Sequence, residues 1–205
     1  MPSSTQANQL LGTEILADRD QQKRVPGDFA MWAFIVMELT VFAIFLVGFA
    51  VTQRLYPQMF SLGRSTLDIS VGLFCTLSLI ISSYFVALAV HAIKRSNHLQ
   101  AMRMLIFALL TATVYLGLKL SEYSALADLS YGLSSNTFYT LYFFITGFHF
   151  MHVLLGMVIL AYMANKARRN GYAKEDYSGF ESGAAYWHMI DLVWVNVFFL
   201  IYIIH

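Results

Sequence analysis

Glu38, Lys119, Glu122, His149, His152, His188 and Asp191 all fall inside long apolar runs, where an ionisable side chain is costly unless it is paired or lines an interior. Carboxylates and imidazoles at such depth could relay protons, or the histidines could ligate a haem or a metal. His149 and His152 are three residues apart and share one helix face. A haem held between histidines needs a second ligand at matching depth on a facing helix. His188 lies ~9 Å from the centre of the last apolar run and His91 near the end of the second, so the depths do not match. Two histidines with Asp191 also fall short of the three or four ligands of a usual metal site. The expectation is therefore no catalytic, cofactor-binding or metal-ligating residue. Glu38, His152 and Asp191 lie within ~3–4.5 Å of the middles of their runs, displaced toward the same side. They share a depth, and hydrogen bonding among them that fixes helix packing is preferred over a proton path, because no ladder of ionisable groups continues to both surfaces.

The remaining candidates have local readings. Lys119 and Glu122 are spaced i,i+3 near the end of the third run and suit an ion pair. Ser178-Gly179-Phe180-Glu181 fits a capping box, with Glu181 starting the last helix. Tyr123, Tyr186 and Trp187 stand where aromatic anchors at the membrane boundary are expected. The single Cys75, inside an apolar run, reads as a small core residue.

Five runs are long and apolar enough to cross hydrocarbon, which takes roughly 20 helical residues. They cover Phe29–Val51, Ile69–Ile93, Ala101–Tyr123, Asn136–Ala164 and Ala184–Ile204. Breakers separate them: Tyr56-Pro57, Leu62-Gly63-Arg64, Arg95-Ser96-Asn97, Tyr131-Gly132 and Asn170-Gly171. Only 12% of the 205 residues are charged and 58% are hydrophobic, against about a quarter charged in a soluble domain. The fold class is an all-α membrane protein, a bundle of five transmembrane helices over 29–205. Residues 1–28 read as a flexible cytoplasmic tail, with Asp28 capping the first helix. A net charge of +1 offers no electrostatic case for nucleic acid.

Certain longer patterns carry a resemblance. Thr146-Gly147-Phe148-His149-Phe150-Met151-His152-Val153-Leu154-Leu155-Gly156 resembles the TGFHxxHVxxG stretch of haem-copper oxidase subunit III. Tyr186-Trp187-His188-Met189-Ile190-Asp191-Leu192-Val193-Trp194 is similar to that family's YWHxxDxVW stretch. Ser121-Glu122-Tyr123 resembles its SEY motif, Gly179-Phe180-Glu181 its GFE, and Met37-Glu38-Leu39 stands where it carries an intramembrane glutamate. Within the family, Pro26-Gly27-Asp28, Met31-Trp32, Ser135-Asn136-Thr137-Phe138 and Trp187-His188-Met189 look most like the branch of nitric oxide reductase accessory protein E.

The resemblance implies a five-helix accessory subunit without a redox centre. Its partner would be a catalytic haem-copper subunit, either subunit I of an oxidase or the large subunit of a nitric oxide reductase, the latter in denitrification. It would support assembly, stability or proton and substrate access in a bacterial inner (plasma) membrane. Phospholipid is the other implied partner, although seven-helix members build their lipid cleft with two amino-terminal helices that five-helix members do without. The competing reading is a free-standing proton-coupled transporter using Glu38, His152 and Asp191. The internal repeats and interrupted spans of such transporters are not seen.

Ten of the thirteen lysines and arginines fall on the amino-terminal side of the first run or in the segments after the second and fourth runs. Only Arg54, Arg64 and Lys119 fall toward the other side. The positive-inside rule then puts the amino end in the cytoplasm and the carboxyl end outside. Reporter fusions after Lys94 and Lys174 should report a cytoplasmic location, and one after His205 an external one; a cytoplasmic signal from the last would overturn this topology.

Overall fold

The computed structural model describes residues 29–169, 171–172 and 177–204. The expected tail over 1–28, with its Asp28 cap, lies outside them. Every long apolar run is a helix: α1 (Phe29–Leu55), α3 (Ile69–Lys94), α4 (His98–Asp128), α5 (Thr137–Arg168) and α6 (Ser178–Phe198). The last continues as a π-helical turn over Phe199–Ile203. All five are long and apolar enough to cross a membrane. Several helices run up to about two turns past the apolar stretch, because polar residues such as Ser124 or Asn165 can continue a helix once it leaves hydrocarbon. Side-chain oxygens of Asp68, Asn97 and Asn136 accept hydrogen bonds from the backbone N–H groups of Ser70, Gln100 and Tyr139, capping α3, α4 and α5.

Two breakers prove to be a helix. Pro57 opens the short α2 (Pro57–Arg64), where its missing N–H would have had no partner anyway. Gly63 lies inside that helix, pressed under the Phe138 ring where any Cβ would overlap it. Glycine here serves a close approach rather than a turn. The capping box at Ser178 is also not formed. Tyr177 precedes the helix with no side-chain cap, and Glu181 instead meets Lys94 Nζ at 2.7 Å, joining the start of α6 to the end of α3. Tyr186 and Trp187 are almost fully buried, and Tyr123 donates to Thr146 Oγ1 at 2.9 Å. These rings are interior packing, not boundary anchors.

Helices α3, α4, α5 and α6 form a closed ring of neighbours, with α3–α4 the most extensive contact. Small residues make that contact close: Ala89, Ala92, Ala101, Ala108 and Ala112 are buried, and Ser82 Oγ reaches the Ala108 carbonyl at 2.9 Å. Gly156 brings α5 equally near α6, since a Cβ there would lie 2.9–3.0 Å from Trp187 and Ile190. Cys75 is fully buried, as expected. Helix α1 lies outside the ring, against α6 and α5. Its buried residues are Ile35, Phe42 and Phe49, a seam one residue wide at seven-residue spacing.

The ring closes around a charge. Lys119, ~9 Å from the middle of α4, is wholly buried, and Glu122 is 7% exposed. The Lys119 ammonium donates to Glu122 Oε2 at 2.6 Å, to Tyr142 Oη on α5 at 2.9 Å and to Tyr202 Oη in the π-helical turn at 3.0 Å. Tyr202 in turn donates to Glu122 Oε1 at 2.7 Å. The rings of Tyr123, Tyr142, Trp194 and Tyr202 surround the nitrogen at 4.8–5.6 Å. The expected pair is present, but at the centre of the packing rather than as a local surface contact. Removing one member strands the other in a dry site, which costs about 3–5 kcal/mol, whereas removing both does not. Lys119→Met should therefore lower the thermal stability of the detergent-solubilised protein strongly, and adding Glu122→Gln should recover much of the loss. A double variant as unstable as the sum of the single variants would show that the pair is not coupled.

Candidate functional site

Glu38 stands three residues after Ile35 and four before Phe42, so it belongs to the buried seam of α1 and points at α5. Its Oε2 lies 3.1 Å from His152 Nε2, and His152 Nδ1 lies 2.8 Å from the Phe148 carbonyl. A carbonyl only accepts, so Nδ1 carries a hydrogen. Nε2 then either accepts from a carboxylic acid or donates to a carboxylate, and in both cases one proton occupies the bond. Phe148 and Phe42 pack on the imidazole with ring centres at 4.5 and 5.4 Å. Both side chains keep 12% exposure, so the pair sits at the rim of the bundle. The Tyr186 hydroxyl is buried without a hydrogen-bond partner among the described residues. The common depth inferred for Glu38 and His152 corresponds to a real contact.

One turn earlier on α5, His149 is fully buried. Its Nε2 is 3.2 Å from the Ile190 carbonyl and its Nδ1 is 3.1 Å from Tyr115 Oη. By the same reasoning Nε2 is the protonated nitrogen and Nδ1 accepts from Tyr115. His149 thus ties α5 to α4 and α6 with both nitrogens engaged. Neither it nor His152 has a free lone pair for iron without breaking these bonds. Among the described residues no three of His, Cys, Asp or Glu converge on a metal position.

Asp191 departs from expectation. It does not join His152. Ile190 faces α5, and the next residue along a helix is turned by about 100°, which carries Asp191 round toward α3. There it couples to Ser83, while its Oδ1 is buried without a hydrogen-bond partner. Ser83 Oγ also bonds His188 Nδ1, whose ring is exposed on the same side of α6. The eight candidate groups, Glu181 included, therefore divide. Glu38 pairs with His152, His149 with Tyr115, Lys119 with Glu122, and His188 with Asp191 around Ser83, while Glu181 belongs to the Lys94 bridge at the helix ends.

Hydroxyl partners are what the sequence reading missed: Tyr115, Tyr142, Tyr202 and Ser83. One signal was available. Ala108, Ala112, Tyr115, Lys119, Glu122 and Leu126 recur at three- and four-residue intervals and are all buried, so one inward stripe of α4 carries all three polar groups.

Comparison with known proteins agrees with this architecture. The family model for cytochrome c oxidase subunit III matches residues 21–205. The chain is 26% identical over 194 residues to cytochrome c oxidase subunit 3 of Thermostichus vulcanus, covering 94% of each chain. It is 30% identical over 181 residues to that of Papio hamadryas, covering 85% of this chain and 68% of that one. The haem-copper oxidase subunit I+III of Aeropyrum pernix is 29% identical over 181 residues, and the match spans 85% of this chain but only 22% of that longer protein. With its motifs on contiguous helices and the match running from residue 21 to residue 205, the chain belongs to the cytochrome c oxidase subunit III family.

Proposed function

We propose that this chain is an accessory membrane subunit, without a redox centre, that seats against the catalytic subunit I of a respiratory haem-copper oxidase. The observation that carries the reading is the match to a protein whose name joins subunits I and III in one polypeptide. In that protein the two subunits share one polypeptide, which keeps them together in the same membrane. The polar groups of this chain support a packing role, because their contacts tie helices together: Glu38–His152 joins α1 to α5, and His149 joins α5 to α4 and α6. The motifs around Asn136 and Trp187 favour the nitric oxide reductase accessory protein E branch, the distribution of basic residues favours a cytoplasmic amino end, and the family resemblance favours a bacterial-type inner membrane or its organellar equivalent.

Glu38 then holds α1 in place rather than transferring protons in turnover. Gentle detergent extraction should recover the chain with a haem-copper catalytic subunit. Spectra and sequencing of that partner identify whether it reduces oxygen or nitric oxide, and recovery with no haem protein would defeat the proposal. In the purified complex, Glu38→Gln should leave turnover and proton uptake within about twofold of normal at matched haem and metal content, since glutamine still hydrogen-bonds His152. A tenfold loss would reassign Glu38 to proton handling.

A further inference from the structure

Helix α6 packs against both α1 and α3, and between those two helices lies a cavity of about 310 Å³. Ala184 and Ala185 of α6 form its floor, Ala87 and Val90 of α3 one wall and Trp32 of α1 the other. Its polar groups stand at two ends. At one end the Lys94 ammonium meets Glu181 at 2.7 Å, so the two charges cancel while the ammonium keeps further N–H groups to donate. At the other end is His188, seven residues and ~10.5 Å further along α6. Its Nδ1 bonds Ser83 Oγ, which orients the ring and leaves Nε2 for a ligand. Trp32 and His188 are both exposed, and His188 lies ~9 Å from the middle of its span, within the hydrocarbon layer. The cavity therefore opens sideways to the bilayer.

We propose that this cavity binds the head of a membrane quinone, with one carbonyl at His188 Nε2 and the other at the Lys94 ammonium. The para carbonyl oxygens of such a ring lie roughly 5 Å apart, and a hydrogen bond of about 2.9 Å at each end asks for donors roughly 11 Å apart. The two polar ends of the cavity are spaced to match. The flat ring lies over two alanines, where nothing larger than a methyl group intrudes, and the Trp32 indole flanks it. An anionic head gains little here, because Glu181 already balances Lys94. Ser83 adapts the site to both oxidation states, having one hydroxyl hydrogen and two neighbours, His188 and Asp191. Given to His188 Nδ1, that hydrogen leaves Nε2 protonated and able to donate to a quinone carbonyl. Given to Asp191, it draws the imidazole hydrogen to Nδ1 and leaves Nε2 to accept from a quinol hydroxyl. The apolar tail leaves over Leu192, one turn beyond His188 and 57% exposed. The site does not depend on which catalytic subunit is the partner.

The test titrates the full chain, in phosphatidylcholine nanodiscs, with decylubiquinone and reads the quenching of tryptophan emission. Quinone that merely partitions into the bilayer quenches in proportion to its concentration, so binding is the part that saturates. The native protein should show a saturable part. Trp32→Phe should lose most of that signal yet still retain the quinone through gel filtration, which places the ligand beside the Trp32 ring. His188→Ala should weaken binding about fivefold, the loss of one hydrogen bond. Ala87→Phe, which fills the cavity from an exposed position, should weaken it more than tenfold. Phosphatidylglycerol in excess should not displace the quinone. Quenching that never saturates, or native affinity in either His188→Ala or Ala87→Phe, would overturn the proposal. So would a saturable signal that survives Trp32→Phe, since the ligand would then sit elsewhere. Displacement by phosphatidylglycerol would likewise defeat it and assign the cavity to a lipid chain.

Discussion

The Lys119 ammonium has three N–H groups, and in a water-free interior each must find an acceptor supplied by the protein. One goes to Glu122 on its own helix, one to Tyr142 on α5 and one to Tyr202 beyond α6. A single buried nitrogen therefore sets the distance between three elements. Tyr202 can reach it from within the π-helical turn, and Arg64 takes up two carbonyls of that last turn, which have no partner within the helix. Arg64 anchors α2, and α2 places Phe60 and Gly63 against Phe49 and Phe138. The short helix between α1 and α3 is thus linked, through Arg64 and Tyr202, to a charge in α4.

The other polar contacts follow the same constraint with weaker means. His149 needs no charge: a hydroxyl and a carbonyl satisfy its two nitrogens. Trp194 passes its indole N–H to Thr76 on α3 at 3.1 Å, next to the His149 ring. Hydrocarbon offers no competing partner, so each bond selects a helix neighbour, and together they fix which helices adjoin. An accessory subunit needs this internal definition if its outer surface is to match a partner that does not fold with it.

Length and apolarity made the five spans legible, since few other solutions accommodate twenty apolar residues. Depth along a helix was also legible: it grouped Glu38, His152 and Asp191, and the first two do meet. Direction around the helix was not, and so Asp191 was assigned to the wrong neighbour. Its depth is right, but one residue of rotation separates α5 from α3. Pro57 and Gly63 misled for a related reason. Proline and glycine mark turns when nothing else is known, yet proline also opens helices, and glycine also admits a ring at van der Waals distance. Which role applies depends on Phe138, some seventy-five residues away. Glu181 shows the same limit: its local motif was complete, and a lysine on another helix won the carboxylate.

The narrow seam of α1 bears on how the protein is made. Glu38 and His152 are 114 residues apart in the chain. At ~5–20 residues per second, synthesis takes roughly 6–23 s to deliver the histidine after the glutamate has been added. Throughout that interval α1 has no α5 or α6 to lie against, and its carboxyl group must wait in the insertion machinery or at the bilayer edge. The ring of four can close on α4's charge only after Tyr202, 83 residues beyond Lys119, has been added. Helix α1 is therefore fastened to α5 and α6 only after both have followed it out of the ribosome.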